Sequence, residues 1–329
     1  MLVPYSGRVA MGLADEPDDG RLGILIDVDC RESPDAQVRA ADTWFNAVLD
    51  RIGMDARAEL SGFRAEPGAS VANESNPWGA PGGRAAVLGR LRWSKARVVG
   101  RATWYSDALF RRLPSRLVGG AFEVYLYVES LDADGRVRDG FWTTQGDEAS
   151  FWVRAQVNED APGWLRLVSS VRVGALRRSP DLQRRWLDVI TDMVDQHDVP
   201  FGYVGVVGTH DRTLWECATM FGHEFTWENT EQSLSWLRGY GWLTVIPSTL
   251  AGQLTPLETP LAVAHTSPRG AVVLQAGPDV LAFDRTTAEV VRRTVEPVLL
   301  PGEANERSLL HNLGREQRGL SGTWAVGSA

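Results

Sequence analysis

The sequence predicts an α+β fold, in which antiparallel sheets are covered by helices. First, Ile24, Ile26 and Val28 alternate with other residues in a run typical of a strand. Second, apolar residues recur at helical spacing over residues 36–52 and 181–196. Third, strand, helix and strand follow one another in the same order twice, which predicts duplicated strand–helix–strand (ferredoxin-like) units.

The first helix has clear boundary signals. Ser33 is a favoured cap residue, and Pro34 suits the first turn of a helix because its fixed φ angle is already helical. We therefore predict that the helix begins at this point and ends at Gly53. Six residues form its apolar stripe: Val38, Ala41, Phe45, Val48, Leu49 and Ile52.

The rest of the chain continues the same pattern. Strands are predicted over 165–173 and 201–207, on either side of the second long helix. An Asp-Gly pair at 134–135 between two strand-like runs is typical of a hairpin turn. A third unit is predicted from strands within 241–250 and 270–277 and a closing helix over 286–298.

Composition along the chain predicts four parts. Residues 65–84 are rich in Pro, Gly, Asn and Ser, which favours a long loop or linker. The other parts are an N-terminal strand–helix unit (1–64), a central α+β unit (85–230) and a C-terminal α+β unit (231–329). At roughly 150 residues per domain, a length of 329 residues suggests two domains, or one large domain with internal duplication.

The net charge of the chain indicates which classes of partner it is suited to bind. The chain has 34 basic and 42 acidic residues, and its formal net charge of −8 argues against nucleic acid, which needs a basic footprint. The same charge is compatible with a basic protein partner. No apolar run reaches the roughly 20 residues of a membrane helix. The first twenty residues become acidic before any apolar segment, so we expect no secretion through a signal peptide and no membrane partner. The chain has only two cysteines, Cys30 and Cys217, which lie far apart, so we expect a protein of the reducing cytoplasm.

Asp27 and Asp29 are the first candidates for chemistry. Residues two apart on a strand point to the same side, so these carboxylates are suited to hold a divalent cation. That arrangement would fit a metal-dependent hydrolase or an enzyme that acts on nucleotides. A structural pair at the end of a strand explains the same residues without any metal.

His210, Cys217 and His223 form the second candidate group. Their spacing matches no common zinc pattern, and they supply only three ligands. Cys217 also fits one apolar position of a short helix, where a buried thiol packs as a small hydrophobic group. Nucleotide-binding and nucleophile-elbow motifs are absent from the sequence. We therefore expect no metal, no cofactor and no catalytic residue.

Aromatic residues form the third candidate group, since the chain contains 13 tryptophans. Core packing is the simpler explanation for most of them, and we expect Trp242 to face the core of a strand. Large aromatic side chains among carboxylates are also typical of protein interfaces. The candidate partner-binding residues are Trp78, Trp227, Glu228, Glu231, Trp236, Arg238 and Tyr240.

Residues 233–258 and 271–302 carry a resemblance to a known family. Gly241-Trp242-Leu243-Thr244, Pro247 and the run Leu274-Gln275-Ala276-Gly277-Pro278 resemble the C-terminal part of type VI-secretion immunity-like bacterial proteins. The Gly-Gly turn of that family is replaced here by Leu254-Thr255-Pro256. The resemblance implies a cytoplasmic protein that neutralises a cognate toxin by binding it, and it transfers no catalytic residue.

Three functional hypotheses follow. The first is a non-catalytic binding protein, an immunity-like antidote to a toxin. The second is a metal-dependent hydrolase or nucleotide-acting enzyme that uses Asp27 and Asp29. The third is a scaffold or structural protein. The sequence identifies neither the toxin nor the oligomeric state.

Overall fold

The computed structural model describes residues 21–62, 64, 87–94, 101–130, 151–157, 161–205, 212–219, 228–302 and 304. Strands and helices both occur throughout these ranges, and the strand pairs are antiparallel, which confirms the α+β class. None of the helices in this part of the chain combines the length and the apolar character needed to cross a membrane.

Ten strands lie within the described ranges. They are β1 (Arg21–Asp29), β2 (Val87–Ser94), β3 (Arg101–Trp104), β4 (Glu123–Ser130), β5 (Phe151–Val157), β6 (Trp164–Arg172), β7 (Phe201–Gly205), β8 (Leu243–Ile246), β9 (Leu261–Thr266) and β10 (Val272–Ala276).

The described helices are mostly short. They are α1 (Pro34–Arg51), α2 (Met54–Gly62), α3 (Asp107–Phe110), α4 (Ser115–Val118), α5 (Val173–Arg178), α6 (Pro180–Gln196), α7 (Leu214–Thr219), α8 (Glu228–Gln232), α9 (Ser248–Ala251) and α10 (Arg285–Val295). Two turns of 3₁₀-helix occupy Val280–Ala282 and Glu296–Val298.

Helix α1 begins where its sequence signals predict. The Ser33 hydroxyl accepts a hydrogen bond from the Ala36 amide at 3.2 Å, which satisfies one of the unpaired donors of the first turn. The helix ends at Arg51, just before Gly53. A Cβ atom at Gly53 would lie 2.5 Å from Cζ of Phe151, so the close packing of that ring requires glycine here.

The chain folds into two compact units. The N-terminal unit contains Val28–His197, and the C-terminal unit contains Leu22–Asp27 together with Asp198–Ala329. The four-part division predicted from composition stays a prediction. The predicted loop at 65–84 and the Asp-Gly turn at 134–135 lie outside the described residues.

In the N-terminal unit, strands β3, β2, β4, β5 and β6 are neighbours in that order, and each pair is antiparallel. Helices α1 and α6 pack against each other through Trp44 and Trp186. Their ring centroids are 6.3 Å apart and both side chains are buried. The two helices with matching patterns in the sequence therefore contact each other at matching tryptophans.

The sheet of the N-terminal unit has one apolar face. Leu91, Val124, Leu126 and Val153 are buried on this face. Gly89 lies on the same side of β2 as Leu91, and a Cβ atom there would meet the Leu60 side chain of α2. Helix α2 therefore packs on the apolar face, and the alternate residues of the strands form the opposite face.

In the C-terminal unit, β7 pairs with the β1 residues Gly23 to Asp27 on one side and with β8 on the other. β10 then pairs with β8 and β9, again antiparallel. Asp27 stands directly opposite Phe201 in the β1–β7 register. This pairing places a carboxylate deep inside the unit.

The predicted third unit contains the elements that the sequence indicates. The segment 241–250 forms β8 and α9, and β10 lies within 270–277. The closing helix is α10, followed directly by a 3₁₀ turn at Glu296–Val298. Trp242 is 2% exposed, as predicted, and its indole N–H donates to the Gly277 carbonyl oxygen at 2.9 Å.

Candidate functional site

A buried cluster of charged side chains lies in the C-terminal unit. The Arg238 guanidinium forms an ion pair with Asp27 and a second one with Glu216, in which Nε lies 2.7 Å from Oε1. Nη2 of Arg238 also donates to Oε2 of Glu216 at 3.1 Å, so that contact is bidentate. All three side chains are at most 1% exposed.

Glu216 is positioned by the start of helix α7. Its Oε2 accepts the Thr213 amide N–H at 2.8 Å, and the Thr213 hydroxyl accepts the Glu216 amide N–H at 3.2 Å. This reciprocal pair is a capping box. The Thr213 hydroxyl also donates to the backbone carbonyl oxygen of Arg238 at 2.9 Å. The start of α7 therefore contacts Arg238 twice: Glu216 binds its guanidinium, and Thr213 binds its backbone carbonyl oxygen.

Electrostatics keep Arg238 charged. Burial alone would lower the pKa of Arg238, but the carboxylates of Glu216 and Asp27 outweigh it and raise the pKa above its ordinary value. The guanidinium also lies over the Phe201 ring, 5.2 Å from its centroid. The arrangement is that of a structural ion cluster, in which buried charges are paired.

Asp29 has its own arginine partner. The Arg31 Nε donates to Oδ1 of Asp29 at 2.9 Å, and the Arg31 amide donates to the same atom at 3.0 Å. Burial alone would raise the pKa of Asp29, but the hydrogen bonds and the charge of Arg31 lower it below its ordinary value. In this structure, both carboxylates of the predicted metal pair contact arginine.

Cys217 lies on helix α7 and is wholly buried. It packs with Ala218, Ala304, Leu214 and Trp215. Burial, assisted by the charge of Glu216, raises the pKa of the Cys217 thiol to about 12. A thiol in this state is a poor nucleophile and a poor metal ligand.

The described ranges contain no group of three or more His, Cys, Asp or Glu residues arranged to hold a metal ion. His210 and His223, which the sequence analysis grouped with Cys217, lie outside these ranges.

The candidate partner-binding residues lie in different environments. Trp236 is 39% exposed, and Glu231 of helix α8 is exposed as well. Arg238 and Tyr240 lie in the interior, so neither presents a side chain to a partner in this conformation. Trp78 and Trp227 lie outside the described residues, as does the side chain of Glu228, the first residue of α8.

The backbone around Trp236 is firmly held. The Trp236 amide donates to the Gln232 carbonyl oxygen at 2.8 Å. The next residue, Leu237, donates to the Val298 carbonyl oxygen at 2.6 Å and accepts from the Leu300 amide at 2.8 Å. Trp236 is thus an exposed aromatic side chain on an ordered backbone, two residues before the buried Arg238.

Sequence reasoning missed Glu216 and Thr213 altogether. Their Thr-x-x-Glu spacing is a recognisable signal for a capping box, so the sequence alone is sufficient to predict the start of this helix. The third partner, Arg238, is 22 residues further along the chain, and no local pattern predicts that contact.

Comparisons with known proteins give few matches. No family model matches the chain, and no curated protein matches it. One similar solved structure is a T6SS protein of Pseudomonas aeruginosa, with 14% sequence identity and a TM-score of 0.47. The similarity covers 90% of this chain and 84% of that protein.

Proposed function

We propose that this chain is a non-catalytic binding protein that neutralises a cognate protein toxin by direct contact. The observation that carries the proposal is Trp236, a large aromatic side chain that is 39% exposed although the residues directly after it are buried. Such residues are frequent energetic centres of protein interfaces.

The backbone of Trp236 makes it suitable as an anchor. Hydrogen bonds through Trp236 and Leu237 fix this segment to Gln232, Val298 and Leu300. An anchor that is already ordered loses little conformational freedom on binding, so more of its contact energy contributes to affinity. The buried ion pairs of Arg238 hold the same segment from inside the C-terminal unit.

Charge favours a basic partner for this surface. Glu231 is exposed on α8, and the whole chain has a net charge of −8. Complementary charge speeds the encounter of two proteins, and salt weakens that effect. We therefore expect the toxin, or the part of it that contacts Trp236, to be basic.

The state of the reactive side chains supports binding over catalysis. Asp27 and Asp29 contact arginine side chains, and the raised pKa of Cys217 keeps that thiol protonated. A metal-dependent enzyme would need both aspartates released from Arg238 and Arg31. If millimolar Mn²⁺ raised the melting temperature of the protein, the enzyme hypothesis would gain support, because a ligand stabilises the state that binds it.

A sequence resemblance is the reason for naming a toxin as the partner. Residues 233–302 resemble type VI-secretion immunity-like proteins, and this segment includes Trp236. The same resemblance implies that the chain works in the cytoplasm.

The test uses the purified full-length chain and the toxin encoded by a neighbouring gene. Calorimetry should detect a complex whose affinity falls as salt rises, and the complex should lack the toxin's activity. If the two proteins do not associate, or if the complex remains toxic, the proposal is wrong. A metal-dependent loss of toxicity without a complex would favour the enzyme hypothesis instead.

A further inference from the structure

The N-terminal unit concentrates positive charge where α3 meets α4. Arg111 and Arg112 begin the turn between these helices, and Arg116 lies in α4. All three side chains are exposed. No Asp or Glu occurs from residue 108 to residue 122, although the whole chain has a net charge of −8. We call residues 111–116 the basic turn.

Apolar side chains hold the basic turn in place. Phe110, Leu113 and Leu117 are buried. The Phe110 ring packs edge-on against Phe45 of α1, with ring centroids 6.3 Å apart. Because the arginines occupy the positions between these buried residues, the same packing leaves them in contact with solvent.

A Schellman motif ends α4 directly after the basic turn. The Gly120 amide donates to the Leu117 carbonyl oxygen at 3.1 Å, and the Ala121 amide donates to the Arg116 carbonyl oxygen at 2.8 Å. Gly120 has a φ angle of 84°, which glycine adopts without the steric penalty of a Cβ atom. The arginines therefore stand on an ordered backbone, which loses little conformational freedom on binding.

Two guanidinium groups of the basic turn have unused donors. Among the residues that the structure describes, neither the Arg112 guanidinium nor the Arg116 guanidinium forms a hydrogen bond or an ion pair. The Arg116 guanidinium lies over the Trp93 ring, 4.7 Å from its centroid. A guanidinium stacked on a ring keeps its N–H edge available for an anion.

The third arginine is partly satisfied within the chain. The Arg111 Nε donates to the backbone carbonyl oxygen of Asp107 at 3.2 Å. The Asp107 carboxylate lies one helical turn before Arg111, and it accepts the Tyr105 hydroxyl at 2.9 Å. Arg112 and Arg116 are therefore the arginines best suited to a ligand.

We propose that the basic turn binds an acidic polypeptide segment of another protein, whose carboxylates pair with Arg112 and Arg116. A guanidinium and a carboxylate form two parallel hydrogen bonds, so each arginine is suited to one Asp or Glu side chain. Val118, which is exposed in the same helix as Arg116, offers the segment an apolar contact. This surface does not involve Trp236, so the inference goes beyond the proposed toxin contact.

Charge complementarity favours a protein segment over nucleic acid. A nucleic acid presents a continuous row of phosphates and needs a broad basic footprint. The basic turn offers three arginines, and Asp107 and Glu123 are the nearest acidic residues on either side of it in the sequence. A short acidic segment matches this limited footprint, whereas a longer row of phosphates would also meet like charges.

The test measures the binding of a fluorescently labelled oligoglutamate peptide to the full-length protein by anisotropy, at about 0.1 M salt. Wild-type protein should bind this peptide more tightly than a labelled oligoglutamine peptide of the same length. Arg112→Gln/Arg116→Gln should weaken oligoglutamate binding by about tenfold, and Arg112→Gln alone by about threefold. Since the Arg112 guanidinium has no hydrogen bond to lose among the described residues, the single variant keeps the test valid if the double variant unfolds.

A matched control removes two exposed arginines from other helices of the same unit. Arg178 is the last residue of α5, and Arg184 lies in α6. Arg178→Gln/Arg184→Gln removes the same amount of charge and should bind the peptide within about twofold of wild type, because charges more than about 10 Å away are screened at this salt concentration.

Three results would overturn the proposal. The first is equal weakening by both double variants, since net charge alone would then explain the binding. The second is the absence of a preference for oligoglutamate over oligoglutamine. The third is tighter binding of a labelled oligothymidylate than of oligoglutamate, which would identify a nucleic-acid surface.

Discussion

Asp27 and Arg238 are 211 residues apart along the chain, and they form an ion pair in the interior of the C-terminal unit. This contact joins strand β1 to the segment that carries Trp236. Because Glu216 binds the same guanidinium, helix α7 is tied to the segment as well. Asp27 therefore helps to hold the segment that carries Trp236 in place through the buried Arg238.

Arg238→Met tests whether the buried cluster stabilises the fold. Removing the arginine leaves Asp27 and Glu216 buried without their cation, so the free energy of unfolding should fall by about 3–5 kcal/mol at neutral pH. Burial penalises a carboxylate that has lost its cation, so protonation of these side chains should relieve part of the loss. The stability deficit of the variant relative to wild type should therefore shrink as pH falls. Urea unfolding at several pH values measures both effects.

The control for this variant is Arg184→Met, which breaks an exposed pair with Asp181. It should cost no more than about 1 kcal/mol, because exposed ion pairs contribute little. If Arg238→Met cost no more than this control, the cluster would not hold the fold as we describe.

Asp29 should make stability depend on pH. Its pKa is lowered in the folded state, so its ion pair with Arg31 stabilises the protein above the ordinary pKa of 3.8 and loses that effect as pH falls further. The stability difference between wild type and Asp29→Asn should therefore be largest near neutral pH and shrink between about pH 5 and about pH 3. Thermal unfolding of both proteins across that range measures it. A difference that stays constant with pH would contradict the assignment.

Cys217 should behave as a packed, unreactive thiol. With a pKa of about 12 and no exposure, it should react with a thiol reagent only after the protein is unfolded. Cys217→Ala should lower the free energy of unfolding by roughly 1 kcal/mol and leave partner binding unchanged. Rapid labelling of Cys217 in the folded protein would show that helix α7 is not packed as described.

Trp236→Ala should weaken toxin binding by about 2 kcal/mol or more while the protein stays folded. The side chain is partly exposed, so its loss should have little effect on the interior. Leu257→Ala is the matched control, since Leu257 is 42% exposed in the same unit and should change binding by less than about 0.5 kcal/mol. Calorimetry with each variant gives the comparison. Equal affinities for wild type and Trp236→Ala would exclude Trp236 as an anchor.

Local elements were largely predictable from the sequence. Ser33 and Pro34 mark the start of α1, and the apolar spacing of α6 is reproduced in the structure. In α1, four of the six predicted stripe residues are buried, whereas Val38 and Ile52 are only partly buried. The core position of Trp242 was predictable for the same reason, since it precedes an apolar strand. These features depend on interactions within a few residues, which a sequence pattern records directly.

The candidate site was predictable only in part. Arginine and tyrosine are common at protein interfaces, which is why Arg238 and Tyr240 were candidates. Both side chains are buried in the structure. Arg238 is buried because it pairs with Asp27 and Glu216. That pairing depends on the positions of β1 and α7 in the fold. Contacts over such sequence separations leave no periodic signal, so a single sequence does not reveal them.

The most direct test of the central claim is a titration of toxin activity with increasing amounts of this protein. A binding antidote is consumed as it works, so we predict that inhibition is complete only when the antidote is at least equimolar with the toxin, with the complex persisting at the end point. An enzyme turns over, so complete loss of toxicity at a small fraction of one equivalent, without a stable complex, would contradict the account.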